Sequence, residues 1–271
     1  MAEVKHQKII VLLSLNLTDK NLILNGIRIA TIFRKELCLC YNYSKKEKHK
    51  KDEFRDQLTA YLIPVKNELP GLPISTLLLS ERLTDLPEKL ADNYEGILVI
   101  SGTSEFSKYA KSIAESSIPF LFVNEKEEQL SEFKKLILPI DLRKENSDSA
   151  LWCSYFGRFN SAGIIVVAAN DKGKDEQKQV SVNVALSKKL FQKLKIEHKI
   201  FRGTKSSLNN SFEALDLALS SQSDLLVILG SSVITPLDLL IGLPEKKIIN
   251  RAGSLPVLII NTQKDNYILC D

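Results

Sequence analysis

A carboxylate, a small residue and a glycine each follow a short apolar run in the second half of the chain. They are Asp141, Ala169 and Gly230. If the runs are parallel strands, these residues lie at the carboxyl ends of a sheet, where open α/β folds bind ligands. A carboxylate there can accept from an adenine amine or a ribose hydroxyl, a backbone can bond to a base edge, and a glycine lets the chain approach a phosphate. The pattern indicates a nucleotide-type site.

The apolar runs that position these residues occur twice. Four runs follow the same order in each half; three matching pairs are 127 or 128 residues apart and the last pair is 137 apart. The runs are 8–12 and 135–139, 37–40 and 164–167, 97–102 and 225–230, and 119–124 and 256–261. This repetition predicts two copies of one domain, at 1–130 and 131–271, with a charged junction near 125–132. The wider last offset indicates that the first copy lacks about nine residues between its last two strands.

The repeated runs are continuously apolar, as strands buried on both faces of a parallel sheet are. Segments with helical periodicity lie between them. Their apolar positions include Phe54, Leu58, Tyr61, Leu62, Val65 and Leu69, then Val180, Val184, Leu190, Phe191 and Leu194, then Phe212, Leu215 and Leu219. Ser147 is placed to cap a helix that carries Trp152, and Gly253 to end a last helix over 245–252. Strands alternating with helices predict a doubly wound parallel α/β sheet in each half.

Composition excludes several classes of protein. Of the 271 residues, 44% are hydrophobic and 26% charged, which is ordinary for a globular protein and excludes a disordered or fibrous chain. A net charge of +4 is too even to indicate a nucleic-acid or membrane partner. Four cysteines without a C-x-x-C pair and three scattered histidines predict reduced thiols and no zinc site. No apolar stretch is long enough to span a bilayer, so we expect a cytoplasmic protein.

Other polar features favour ordinary surface structure. The basic stretch 44–51 contains no aromatic residue, which is typical of a solvated loop or helix start. Asp141, Arg143 and Lys144 form a cluster that could suggest phosphoryl chemistry, but we interpret it as a solvated strand-to-helix loop. Gly203-Thr204 is interpreted as an ordinary turn. The common nucleotide-hydrolase, dinucleotide and serine-hydrolase fingerprints are absent from the sequence.

The second half resembles the universal stress protein family. The segments that carry the resemblance are 138–141, 225–230, 239–242, 245–249 and 255–260, and the internal repeat extends it to the first half. The resemblance implies tandem domains with five-stranded parallel sheets, in a family whose members are often dimeric and whose last strands pair. One branch of the family binds ATP and another does not, and most members have no established catalytic reaction.

The ATP-binding branch has a signature of Gly, two residues, Gly, nine residues, then Gly and Ser or Thr. Here Gly230 and Gly242 match its first and third glycines, but Val233 replaces the second, Leu243 replaces the hydroxyl residue, and the spacing is one residue short. A valine Cβ obstructs a positive-φ turn and a close approach to phosphate. Asp141 still fits the nucleoside end of such a site. We therefore expect weakened phosphate binding, with Asp141, Ala169, Gly230 and Gly242 as the candidate cofactor-binding residues.

The first half departs further from the signature. Ser14 matches Asp141 at the shared offset, or Asn16 does if the strand end slips by two residues. The segment after Gly102 is too short for a full phosphate loop. This half is expected to be structural or to serve in pairing.

The resemblance and the departures together predict a non-enzymatic stress-response or regulatory protein with a degenerate nucleotide site and no required cofactor. The alternative is an adenine-nucleotide sensor that binds ATP or AMP in the second domain. A nucleotide hydrolase would need several converging carboxylates, and Asp141 is the single candidate. We also expect Phe120–Val123 and Val257–Ile260 to be edge strands that pair between halves or between chains, the latter as a homodimer, because exposed apolar edges aggregate.

Overall fold

The computed structural model describes residues 6–127, 130–231 and 243–261. They form two compact units, and the boundary in the chain lies between Leu130 and Ser131. Val233, Gly242 and Cys270 lie outside the described residues.

The first unit alternates strands and helices along its whole length. Its strands are β1 (Lys8–Leu12), β2 (Glu36–Asn42), β3 (Ile74–Leu79), β4 (Gly96–Gly102) and β5 (Phe120–Val123). Its α-helices are α1 (Asp19–Phe33), α2 (Lys51–Glu68), α3 (Leu86–Tyr94) and α4 (Phe106–Glu115), with 3₁₀ turns at Lys45–Lys50 and Thr103–Glu105.

The second unit repeats this arrangement. Its strands are β6 (Lys135–Ile140), β7 (Gly163–Ala168), β8 (His198–Arg202), β9 (Leu225–Leu229) and β10 (Val257–Ile260). Its described α-helices are α5 (Asn146–Asn160), α6 (Lys174–Lys193), α7 (Asn210–Ser220) and α8 (Pro244–Ala252).

Each unit contains a parallel sheet with the same strand order. The order is β3-β2-β1-β4-β5 in the first unit and β8-β7-β6-β9-β10 in the second. Each neighbouring pair within these two orders is parallel. The central strands β1, β4, β6 and β9 are almost entirely buried, as continuous apolar runs predict. The predicted fold class, two tandem doubly wound α/β units with helices flanking each sheet, is confirmed.

Several local predictions are also confirmed. The stretch 44–51 is a helix start, because Ser44 and Glu47 form a capping box ahead of α2. Gly253 follows α8 with φ of +62°, a conformation that favours glycine. The cysteines at 38, 40 and 153 are buried free thiols, and burial raises the pKa of Cys38 to about 11.

The predicted cap at Ser147 is wrong. Helix α5 begins one residue earlier, at Asn146, and the Ser147 hydroxyl donates to the Lys144 carbonyl instead of accepting from the helix. The start of the helix is fixed by the buried Asn146 amide, which donates to Asp141 and Arg143. Two predicted helix positions, Leu69 and Leu194, lie just beyond the ends of their helices.

The units differ most between their last two strands. In the first unit, β4 passes through one 3₁₀ turn directly into α4. In the second unit, β9 ends at Leu229 and α8 begins only at Pro244. The residues that the first unit lacks therefore belong to the connection that precedes the helix.

Candidate functional site

The carboxyl ends of the second sheet form a crevice where the strand order reverses. The chain runs from β6 to β7 and β8 on one side, whereas β9 and β10 lie on the other side of β6. Loops that leave β6 and β9 diverge there, and ligands of open parallel sheets bind between such loops. Asp141 follows β6 and Gly230 follows β9, so the structure brings these two predicted residues to one crevice.

Asp141 is buried, with only 5% of its surface exposed, and its carboxylate already has partners. The Arg143 guanidinium donates to Oδ2 from Nε at 2.9 Å and from Nη2 at 2.6 Å. The Arg143 backbone amide and the Asn146 side chain donate to Oδ1 at 2.8 and 3.0 Å. The interpretation of this cluster as a solvated loop is therefore wrong for Asp141, although Lys144 is exposed.

Two asparagine amides fix the shape of the loop around Asp141. Asn183 on α6 donates to the Asp141 and Arg143 carbonyls, both at 2.9 Å, and Asn146 donates to the same two carbonyls. Both side chains are buried. Sequence reasoning missed them, since an asparagine inside an amphipathic helix gives no signal beyond its low helix propensity.

Ala169 lies at the end of β7, and its backbone N–H is already used. It donates to the Ile140 carbonyl at 2.8 Å. The buried Asn210 side chain donates to the carbonyls of Ile140 and Val167 at 3.0 and 2.9 Å, tying α7 to the same strand ends. The N–H of Ala169 is therefore not free to bond to a base edge.

Gly230 begins the connection that would hold a phosphate. Its carbonyl accepts from Arg143 Nη1 at 3.3 Å, so one guanidinium links the loops after β6 and β9. A Cβ on residue 230 would lie 3.0 Å from Ile259 Cγ2, so a larger residue would press on β10. Gly242, Val233 and Thr235 lie outside the described residues.

Glu245 is a functional candidate that sequence reasoning missed. It is the second residue of α8 and 6% exposed, and its Oε1 accepts from the Ser231 amide at 2.5 Å and from the Ser231 hydroxyl at 2.7 Å. Its Oε2 is buried and has no hydrogen-bond partner among the described residues. A Pro-Glu pair at a helix start was the available signal, because carboxylates favour the first turn of a helix.

These side chains border a cavity of about 310 Å³. Asp141, Arg143, Ser231 and Glu245 supply polar lining, and apolar lining comes from β9, α7, α8 and the loops that contain Leu142 and Leu208. The cavity therefore contains two carboxylates and one guanidinium, the guanidinium being paired with Asp141. Its size and mixed lining suit a small organic molecule.

A partly exposed carboxylate holds the neighbouring loop after β8. Glu213 accepts from the Thr204 amide and hydroxyl and from the Lys205 amide, at 2.7 to 3.0 Å. Burial opposes its ionisation, but these hydrogen bonds outweigh burial and lower the pKa of Glu213. The Gly203-Thr204 turn is thus held by a carboxylate, a contact that local sequence does not reveal.

In the first unit, neither Ser14 nor Asn16 takes the role of Asp141. Their backbone amides instead donate to the carboxylate of Asp19, at 3.0 and 3.1 Å. Asp19 is fully buried at the start of α1, and burial raises its pKa although these amides oppose the rise. The carboxylate of this crevice therefore comes from a helix start, five residues beyond the position of Ser14.

The carboxylate of Glu125 lies against the residues at the end of β4 in the first unit. Thr103 Oγ1 donates to Glu125 Oε2 at 3.2 Å, and a Cβ on Gly102 would lie 2.8 Å from the same oxygen. Glu125 is 8% exposed. Burial opposes its ionisation, but hydrogen bonds from Ser104 and Thr103 outweigh burial and lower the pKa of Glu125.

Within the described residues, no group of three or more His, Cys, Asp or Glu side chains is arranged to hold a metal ion. None of the helices in that part of the chain is long and apolar enough to cross a bilayer.

The fold and the crevice define a class: two parallel five-stranded units, each with its switch point between the first and fourth strands. This is the universal stress protein fold. A universal stress protein from Archaeoglobus fulgidus DSM 4304 superimposes with a TM-score of 0.70 at 11% identity, covering 96% of this chain and 98% of that one.

Two Pseudomonas aeruginosa structures are also similar. A putative universal stress protein from strain UCBPP-PA14 gives a TM-score of 0.62 at 14% identity, covering 95% of this chain and 94% of its own. A functionally unknown protein from strain PAO1 gives 0.61 at 14% identity, covering 98% and 95%. No protein-family model matches the sequence, and no curated protein matches it significantly. The likeness therefore concerns the fold of the whole chain.

Proposed function

We propose that this chain is a non-enzymatic stress-response or regulatory protein of universal stress protein type, acting in the cytoplasm, whose nucleotide site is degenerate. One observation carries the proposal. The Asp141 carboxylate, which would accept from a nucleoside, is buried and bound by Arg143 and Asn146. A nucleoside would have to displace a two-pronged charged hydrogen bond to reach it, and such bonds are among the stronger ones in proteins.

The second candidate function is adenine-nucleotide sensing in the second unit. The cavity beside Asp141 favours it, since about 310 Å³ is room for part of such a ligand. Arg143 favours it too, because a half-buried guanidinium could turn from Asp141 towards a phosphate. ATP or AMP would then exchange partners with the Asp141–Arg143 pair.

Isothermal titration calorimetry with ATP and with AMP separates the two functions. A degenerate site gives no binding at micromolar concentrations. Micromolar binding that Asp141→Ala abolishes would support the sensor and contradict our proposal. Asp175→Ala is the matched control, because Asp175 is an exposed carboxylate in the first turn of α6.

Enzymatic activity has its own test. Purified protein is incubated with each nucleotide, and released phosphate is measured. We expect no turnover. Turnover that is lost in Asp141→Asn, with the fold retained by circular dichroism, would establish a hydrolase.

We further propose that β5 and β10 serve in self-association, by pairing between the halves or between two chains. Both strands are apolar along their whole length, and an uncovered apolar edge would promote aggregation. Size-exclusion chromatography and crosslinking test this proposal. A monomer in which these strands are open to protease would contradict it.

A further inference from the structure

Each unit holds a glutamate carboxylate against the donors that follow its fourth strand. In the first unit the Thr103 hydroxyl donates to Glu125, beside Gly102. In the second unit the amide and hydroxyl of Ser231, the residue that follows Gly230, donate to Glu245. Backbone amides, hydroxyls and the start of a helix are groups that bind anions.

The two glutamates reach this position from different elements. Glu125 follows β5, whereas Glu245 lies in the first turn of α8. They are not matching positions of the repeat, because they are 120 residues apart and matching strands are at least 127 apart. The same place is therefore filled twice by unrelated parts of the chain, both more than nine-tenths buried. We infer that the position next to the donors that follow the fourth strand binds an anion, and that in each unit a glutamate carboxylate of the chain itself is that anion.

We propose that Glu245 is the specificity-determining residue of the second-unit cavity, excluding phosphorylated ligands and leaving the cavity to neutral or cationic ones. The proposal rests on the degenerate site described above and names what makes it degenerate. Ser231 cannot donate to a phosphate while it donates to Glu245. A bound phosphate would also lie close to the negatively charged carboxylate of Glu245. Water is partly excluded from this site, so the two like charges would repel each other strongly.

The second carboxylate oxygen of Glu245, Oε2, supports the same assignment. Oε2 is buried without a hydrogen-bond partner in the described parts of the chain, and an ionised oxygen without a donor is unfavourable. A ligand that brings a hydroxyl or amine to this carboxylate would relieve that cost, whereas a phosphate would add to it.

Apolar residues that line the cavity restrict the class of ligand further. Leu208, Phe212 and Ile248 line the same cavity as the carboxylates, and Leu208 is 88% exposed. The ligand class is thus a small phosphate-free molecule with an apolar face and at least one hydrogen-bond donor.

Inorganic pyrophosphate is the probe for the test, measured by calorimetry and by ³¹P NMR. We expect it to bind Glu245→Ala about tenfold more tightly than wild type, or better, because one close unit charge is removed and two donors are freed. Glu245→Gln keeps the size and an acceptor for Ser231 while losing the charge, so it should gain affinity to a smaller extent. Asp175→Ala removes an exposed first-turn carboxylate from α6 and should leave affinity unchanged.

The outcomes separate this inference from the proposed function. Wild type that binds ATP at micromolar concentration contradicts both the proposed function and the exclusion of phosphorylated ligands. If wild type does not bind ATP, and a folded Glu245→Gln variant binds pyrophosphate no more tightly than wild type, only the assignment to Glu245 is contradicted. Glu245→Gln serves if Glu245→Ala does not fold. A wild-type preference for AMP over adenosine would also overturn the assignment, since the two differ only in the phosphate.

Discussion

The crevices of the two units differ in what binds the buried carboxylate near the end of the first strand. In the first unit, backbone amides of Ser14 and Asn16 bind Asp19. In the second unit, one backbone amide, that of Arg143, binds Asp141, and the side chains of Arg143 and Asn146 supply the other contacts. An amide cannot leave without reshaping the loop, whereas a side chain can turn away.

The same fold can thus hold its crevice carboxylate with a strained loop or with side chains that are able to move. Leu15, between the two amides that bind Asp19, has φ of 55°, so the first loop accepts an unfavourable conformation to complete this contact. The matching residue, Leu142, is not among the positive-φ residues of the described chain. The second loop is held instead by an arginine that also reaches Gly230 and borders a cavity. Only the second arrangement could exchange a protein partner for a ligand.

Asp19→Ala should have the largest effect on stability. It leaves two partly buried backbone amides without their charged acceptor, which should lower the free energy of unfolding by about 3 kcal/mol. Urea denaturation followed by circular dichroism measures it. Asp175→Ala, at an exposed first-turn position, should cost less than about 0.5 kcal/mol. Equal costs for the two variants would show that Asp19 acts only through the helix dipole.

Arg143→Ala should cost less, about 1 to 2 kcal/mol, because Asp141 keeps the Arg143 backbone amide and Asn146 as partners. Arg143→Lys should recover only part of the loss, since an ammonium cannot reproduce the two-pronged contact. The same urea experiment measures both variants. A cost at or above that of Asp19→Ala would contradict the distinction between a replaceable and a fixed partner.

The sequence predicts the sheets far better than the sites. Runs such as 97–102 and 225–230 are apolar on both faces, which only a buried strand tolerates, so strand positions and the α/β class follow directly. Asp141 and Gly230 lie at the crevice because each directly follows a strand, and their role in binding a cofactor stays a prediction.

The contacts that decide the site could not be predicted in the same way. Glu245 contacts Ser231, 14 residues away in the chain, and Glu125 contacts Thr103, 22 residues away. Neither separation corresponds to the periodicity of a helix or a strand. Asp19 was missed because it lies on a helix instead of a strand end, outside the shared offset. Such pairs depend on loop shape, which continuous apolar runs do not encode.

The pH dependence of stability distinguishes two carboxylates of the first unit. The pKa of Glu125 is lowered from 4.5, so its contribution is complete above pH 4.5 and is lost as pH falls through the folded-state pKa. The pKa of Asp19 is raised from 3.8, so its contribution is present below pH 3.8 and is lost as pH rises through the folded-state pKa. Between pH 6 and pH 3, Glu125→Gln should therefore lose less stability than wild type, and Asp19→Asn should lose more. Urea midpoints at four pH values measure this, and parallel curves for both variants would refute it.

The smallest effect tests the loop conformations themselves. Leu15→Gly removes a side chain from a left-handed residue, and the relief of about 1 kcal/mol should offset most of the cost of a more flexible unfolded chain. Leu142→Gly has no such strain to relieve and should cost about 1 kcal/mol from that flexibility. Thermal and urea unfolding of the two variants, measured side by side, should thus differ by about 1 kcal/mol in favour of Leu15→Gly. If Leu15→Gly is the more damaging change, the packing of Leu15 outweighs its backbone strain, and the first loop is held by more than the amides that bind Asp19.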